Sequence, residues 1–447
     1  MPTSDSGGEP AARRAPASQS SGRLYLPVVT GMGAVTPFGW GVAPLVDGLM
    51  RDRRAFTEPS VFSVAEHRTS LAGEVPPEGA PPAPFASLGS AQRAKLARTD
   101  RFAWAATCEA LEQAGWGFAD LRALGPRLGL FFGSSTGGMH EGEEFYAALC
   151  DAPGERHSIT KLATQQNQGP GETVARLLGT SGPNVTIATA CAASTMALEA
   201  AWLALRSGEV DVALVGGSDG LCQLTYAGFN SLRAVSESPC EPFRAERDGL
   251  TLGEGAGVLV LERPFAAKQR GAQPLAQVLA AASTCDAHHM TAPEPEGEGI
   301  RRAILRALEL ADVSPGDVAF VNAHGTGTPH NDAAEAHAFG HVFAALGAQV
   351  PITSTKGAIG HLLGSAGVVE AIATIRCLQE GRVHPTPGTG EADPALGVDL
   401  VRRAVRLLPG AGVALSTNLA FGGANAAALF ARVPGETRAS SPSEATA

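Results

Sequence analysis

The chain runs to 447 residues, carries a net charge of −10 and has only 17% charged residues. That length allows one large domain or two halves around a substantial core, and the acidic balance argues against nucleic acid as a partner. A mean hydropathy of +0.04, with no apolar run long enough to cross a bilayer, argues against a membrane. The seven cysteines are odd in number, scattered and free of CxxC pairs. This suits reduced thiols in a cytoplasmic protein rather than a disulfide frame or a zinc site.

Residues 1–23 are rich in Gly, Ser, Pro and Ala, without the apolar stretch of a secretory signal, and read as disordered, as do residues 433–447. Ordered structure is expected from Leu24, where LYLPVVTGMGAV has the pattern of a strand ending in a glycine turn. A proline-rich surface loop over 75–84 precedes a helix over 98–114, and GLFFGSSTGG is a strand running into a glycine turn. Residues 184–188, NVTIA, read as a short buried strand, and the Ala-, Leu- and Met-rich residues 192–205 recur at helical spacing. DVALVGGSDG and GEGAGVLVLERP complete a first half, 24–265. The second half, 266–432, repeats this grammar. It has the helix IRRAILRALELADV, the strand VAFVNAHGTGTP, the strand PITSTK feeding an apolar helix, and the glycine bend and strand of NLAFGGANAAALF. Alternating strands and apolar helices imply an α/β fold whose sheets are covered on both faces.

Cys191 falls where the strand turns into the first turn of the apolar helix. Unpaired backbone N–H groups and the positive end of the helix dipole converge there, and both favour a thiolate. The alternative is a small buried cysteine that fills space. Its small neighbours Ala190, Ala192 and Ala193, with two histidine motifs downstream, favour a nucleophile, expected to be alkylated before the other six cysteines. His324 closes an apolar strand ahead of a turn carrying Thr326 and Thr328, and Lys356 and His361 bracket a glycine-rich helix start. Phe421 precedes two glycines that would let a backbone N–H approach a ligand. There is no GxxxxGK phosphate loop, and GMGAVTP lacks the third glycine of a dinucleotide fingerprint. His324 and His330 have no third zinc ligand nearby in sequence, so no metal is expected.

Together TACAAS, NAHGTGTPHNDAAE, STKGAIGHLLGSAG and NLAFGGANAA, with ERDGLTLGEGAGVLVLE and CDAHHMTAP, resemble β-ketoacyl-acyl-carrier-protein synthases of the elongating, two-histidine type. The likeness runs in order over nearly the whole chain. It implies a thiolase fold, two βαβαβαββ halves in a five-layered α/β/α/β/α sandwich, usually as a homodimer. It also implies decarboxylative Claisen condensation. Cys191 would take an acyl group from the phosphopantetheine of acyl-carrier protein, and malonyl-acyl-carrier protein would lose CO2 and attack that thioester. His324 and His361 would assist decarboxylation and hold the enolate oxygen, and backbone N–H groups of Cys191 and Phe421 would form the oxyanion hole. Lys356 and Glu335 would form a buried pair orienting the histidines. Phe421 would gate the tunnel, and Thr326, Thr328 and Thr291 would bind the pantetheine. No cofactor is implied beyond the phosphopantetheine that the carrier protein brings.

Two departures bear on the acyl substrate. Thr291-Ala292 stands where the family often has Thr-Ser before the proline, and Thr136 sets a polar group where many relatives line the acyl chain with an apolar one. They open a polyketide or polyene-type pathway beside fatty-acid elongation. An acidic enzyme meeting an acidic carrier protein needs a local basic patch. Arg93, Lys95, Arg98 and Arg101 form one candidate and Arg156 with Lys161 a second, a solvated helix face being the alternative for each. A chain-length-factor-like partner subunit in a heterodimer would lack the nucleophile. A thiolase would have a second cysteine where His361 stands, and a starter-type synthase would have Asn in place of one histidine.

Overall fold

The computed structural model describes residues 26–78, 88–152, 154–156, 159, 162–344, 349–408 and 410–433; the expected lead 1–23, the tail from 434 and Lys161 lie outside them. The first half contributes β1 (Val28–Thr36), β2 (Leu128–Gly133), β3 (Asn184–Ile187), β4 (Val212–Asp219) and β5 (Gly255–Glu262). The second contributes β6 (Ala276–Cys285), β7 (Val318–Asn322), β8 (Pro351–Thr353), β9 (Val413–Leu419) and β10 (Ala424–Ala431). The principal helices are α1 (Arg98–Ala114), α2 (Gly169–Leu178), α3 (Ala193–Ser207), α4 (Gln223–Ser231), α5 (Glu298–Ala311), α6 (Pro329–Phe343) and α7 (Ala366–Glu380).

The strands form one twelve-stranded sheet in which β3-β2-β4-β5-β1 is followed by β6-β10-β9-β7-β8. Both halves are wired alike. The first strand pairs antiparallel with the last, which pairs antiparallel with the one before it; two parallel neighbours follow. The halves join through a short antiparallel contact, Val28 opposite Gln277 and Val29 opposite Ala276. Helices α3 and α7 touch strands of both halves and form the middle layer, while α1 covers the first half-sheet and α5 the second. This is the layered thiolase arrangement.

The sequence explains why the middle layer holds. Strands β4 and β5, VALVGGSD and GAGVLVLE, are buried at every position and show no polar alternation. The α7 sequence AGVVEAIATI is buried throughout, which includes the carboxylate of Glu370. Gly133 closes β2 so tightly against α3 that a Cβ there would stand 2.3 Å from the Ser194 backbone nitrogen.

The helix over 98–114 has the bounds its periodicity indicated. Strand β3 differs from expectation. It is not buried: Asn184 and Val185 are exposed, and only β2 pairs with it. Its β-branched residues lie on an open sheet edge that this chain does not cover. Gly133→Ala is expected to push β2 from α3 and cost about 1–3 kcal/mol through overpacking. Thermal denaturation checks this, and an unchanged midpoint would show the contact to be slack.

Candidate active site

Cys191 sits in a single 3-10 turn, Ala190–Ala192, between β3 and α3, and is buried. Ala190 carries φ +47°, a left-handed conformation that costs a residue with a Cβ about 1–2 kcal/mol. The sharp elbow lifts the sulfur out of the strand direction, and backbone N–H groups of Cys191 and Phe421 both reach it. Burial outweighs these donors and the nearby Lys356 charge, pushing the thiol up to about 11. The resting form is therefore the thiol, not the thiolate expected from the helix start alone.

His324 follows β7. Its backbone N–H and that of Gly325 donate to the Glu335 carboxylate at 2.8 and 2.7 Å. Its ring Nδ1 lies 3.1 Å from Lys356 Nζ, which also contacts Glu370 Oε1 at 2.5 Å. His361 enters from the loop before α7, and its ring Nδ1 accepts the Leu363 N–H at 3.2 Å. The imidazoles meet edge to face, centroids 5.1 Å apart. Burial first, and the Lys356 charge second, hold both well below the usual histidine range, so both are neutral. In a neutral imidazole whose Nδ1 accepts, the proton is on Nε2. His361 Nε2 is buried with no protein partner, a donor left facing the site. Donor atoms of Cys191, His324 and His361 all lie within 4.8 Å of one another. That spacing would suit a metal, but the Nδ1 partners place protons, not lone pairs, at Nε2.

A cleft of about 460 Å³ leads to Cys191. Thr326 and Thr328 line it, their hydroxyls 2.9 Å apart, and so does Thr291. Phe421 stacks on Phe229 of α4, centroids 5.4 Å apart, across its inner part. The arrangement can bind an extended polar arm, present its end to sulfur, and stabilise developing oxyanions from two pairs of N–H groups.

Residues 28–267 match the family description "Beta-ketoacyl synthase, N-terminal domain", and residues 275–389 match "Beta-ketoacyl synthase, C-terminal domain". The chain belongs to the β-ketoacyl synthase family. It is 35% identical to a 3-oxoacyl-[acyl-carrier-protein] synthase 2 of Synechocystis over 90% of this chain and 97% of that relative. The same-named protein of Staphylococcus aureus is 34% identical with equal coverage. Among solved structures, the ishigamide ketosynthase/chain length factor superposes with a TM-score of 0.85 at 30% identity, covering 92% of this chain and 99% of that one. A β-ketoacyl synthase from Burkholderia phymatum gives 0.83 at 31%, covering 92% and 100%. The family is made of acyltransferase-type condensing enzymes.

The structure brings the synthase's Cys191, His324, His361, Phe421, Thr326 and Thr328 to one cleft. It corrects four readings. Lys356 does not pair with Glu335: its partner is Glu370, while Glu335 clamps the His324 loop and also accepts from Thr417 and Asn331. The signal for Glu370 was a lone carboxylate in an apolar helix, which must find a buried partner. Thr136 stands outside this cleft, its hydroxyl donating to Asp219 Oδ1 at 3.0 Å, so the polar group expected along the acyl chain is engaged by a buried carboxylate. The basic cluster is largely spent: Arg98 is held by Glu254 at 2.8 Å, Arg93 pairs with Glu78, and Arg101 is half-buried. Lys95 and Arg156 remain exposed. Sequence reasoning missed Phe229 on α4 and Arg233 in the turn after it, both at the cleft, because a single residue outside any motif carries no pattern.

The last correction is kinetic. Cys150 and Cys285 are exposed and Cys191 is not, so a small alkylating agent reaches those two first. With a thiol near 11, alkylation of Cys191 by iodoacetamide should rise about tenfold per pH unit between pH 7 and 10. Peptide mass spectrometry resolves the site, and a rate that levels off at neutral pH would mean a resting thiolate.

Proposed function

We propose that this synthase condenses a Cys191-bound acyl group with malonyl-acyl-carrier protein, releasing CO2 and a β-ketoacyl thioester. The observation that carries this reading is the convergence of two neutral histidines on a buried sulfur at the end of a threonine-lined cleft.

In the first half-reaction the Cys191 sulfur attacks the thioester carbonyl of an acyl-pantetheine. The oxyanion develops between the N–H groups of Cys191 and Phe421. Collapse expels the pantetheine sulfur, which takes the proton that Cys191 gives up, and the acyl group stays on Cys191. In the second, the malonyl thioester oxygen accepts from Nε2–H of His324 and His361. The bond to the carboxylate breaks, CO2 leaves, and its electron pair becomes an enolate held by those donors. The enolate carbon attacks the acyl-Cys191 carbonyl, the same backbone N–H pair takes the new oxyanion, and the expelled sulfur is reprotonated from water. Neutral imidazoles suit this work because they hold the enolate without protonating its carbon.

Acyl-carrier protein is the partner, and its phosphopantetheine arm is the only cofactor. The cleft mouth offers Arg233, an exposed side chain with no ion-pair partner among the described residues, to the phosphate and acidic surface of that carrier. A solved neighbour at 28% identity and TM-score 0.81 is titled as a type II polyketide acyl-carrier protein in complex with its ketosynthase. The open edge of β3 is the site for a second copy or a ketosynthase-like subunit, and neighbours include ketosynthase–chain length factor pairs. The intact Cys191 places this chain on the catalytic side of any such pair. No described helix is long and apolar enough to cross a membrane, and seven free cysteines fit a cytoplasmic location. The pathway is of the fatty-acid or polyketide type.

His324→Ala and His361→Ala should each retain acyl transfer to Cys191, read by intact-protein mass spectrometry, and lose most condensation with malonyl-carrier protein. A variant that condenses at the normal rate would remove its histidine from the mechanism. Arg233→Glu should raise KM for the carrier-borne substrate at least tenfold, and less so at high salt, while leaving KM for a small pantetheine thioester unchanged. Lys95→Glu and Arg156→Glu are the controls; a larger effect from either would move the dock to those faces.

A further inference from the structure

The start of α3 and the ring of His324 are joined by a buried polar chain that the proposed reaction does not itself use. Thr195 lies in the first turn of α3, four residues after Cys191. Its hydroxyl donates to Asn418 Oδ1 at 2.5 Å. Asn418 Nδ2 donates in turn to Glu370 Oε2 at 2.7 Å and stands 3.4 Å from His324 Nδ1. Glu370 closes the chain through Oε1 to Lys356, which faces His324. Thr195 is 3% exposed and Asn418 fully buried, so water does not substitute for either partner.

We infer that Asn418, held by Thr195, is a positioning residue that fixes the Glu370–Lys356 pair and through it the protonation site of His324. An amide has one accepting and one donating end. Two acceptors, Glu370 Oε2 and His324 Nδ1, face the nitrogen end, so only one orientation works. The opposite orientation would set Oδ1 against a carboxylate, acceptor against acceptor. The Glu370 carboxylate, an acceptor only, selects the working orientation, and the Thr195 hydroxyl anchors it by donating to Oδ1. Gly367 of α7 leaves the space: a Cβ there would lie 2.0 Å from Thr195 Oγ1 and 2.9 Å from Asn418 Oδ1. Without Asn418 the Glu370 carboxylate keeps one anchor and can rotate. Lys356 then loses its fixed approach to Nδ1, and the Nε2–H that holds the enolate is no longer guaranteed. The nucleophile end of the chain is untouched, since the sulfur takes its donors from backbone.

This inference rests on the condensation reading for its kinetic consequence and on geometry alone for the rest. Thr195→Val keeps shape and removes the donor; Thr195→Ser keeps the donor; Asn418→Ala removes the amide. For Thr195→Val, decarboxylation of malonyl-carrier protein should fall about tenfold in kcat, with KM within twofold and the Cys191 alkylation rate unchanged. Asn418→Ala should fall at least as far, and Thr195→Ser should stay within twofold of the parent. In a crystal structure of Thr195→Val, the Asn418 amide should leave Glu370. Decarboxylation within twofold of the parent, a parallel fall in alkylation, or an amide still on Glu370 would each overturn the inference. If Asn418→Ala does not fold, the Thr195 pair decides alone. A parent enzyme that does not decarboxylate malonyl-carrier protein would sink the proposed function, and the crystal structure would still decide this inference.

Discussion

The active site depends on keeping two imidazoles neutral inside the protein while a cation sits beside one of them. Lys356 can be buried only because Glu370, on the buried helix α7, meets it at 2.5 Å. A buried pair of this kind adds little to stability, since desolvation consumes most of the attraction. Its contribution is directional. An ammonium that points at Nδ1 opposes protonation of His324 and leaves Nε2–H free for chemistry. Glu335 serves a separate purpose, accepting from two backbone N–H groups of the same loop, His324 and Gly325, and from the side chains of Asn331 and Thr417. Burial keeps the ring neutral, the cation that Glu370 holds beside it adds to this, and Glu335 fixes the loop that carries the ring.

The duplicated architecture explains how residues so far apart in sequence reach one point. The two middle-layer helices each follow the third strand of their own half, and their starts face each other across the join. Cys191 precedes α3 and His361 precedes α7, so the segments leading into the two middle-layer helices supply the nucleophile and one of the oxyanion donors. Backbone strain falls on these same turns, with φ +47° at Ala190 and +53° at Leu363. Strain at both helix starts is what a fold tolerates where surrounding packing over-determines a functional geometry.

Much of this was legible in the sequence. Strand–turn–helix grammar located Cys191, His324 and His361, and helical periodicity gave α1 its bounds, because those signals are local. What failed was non-local. The partner of Lys356 lies fourteen positions away on another helix, and nothing local ties that helix's one carboxylate near its start to the lysine. Arg98 looked free until a chain segment 156 residues distant brought Glu254 to it. The thiol was misjudged because a helix start advertises its N–H donors in sequence, whereas the opposing cost of burial is a property of the whole fold.

The exposed flank of β3 lies next to the turn that carries the nucleophile. Residues 184–187 run directly into the strained elbow at Ala190, so whatever strand lies against that edge also steadies the turn that presents the sulfur. Association and acylation then share a free energy. A partner that rigidifies the turn favours the acyl-enzyme, and the acyl-enzyme must by the same amount favour the partner.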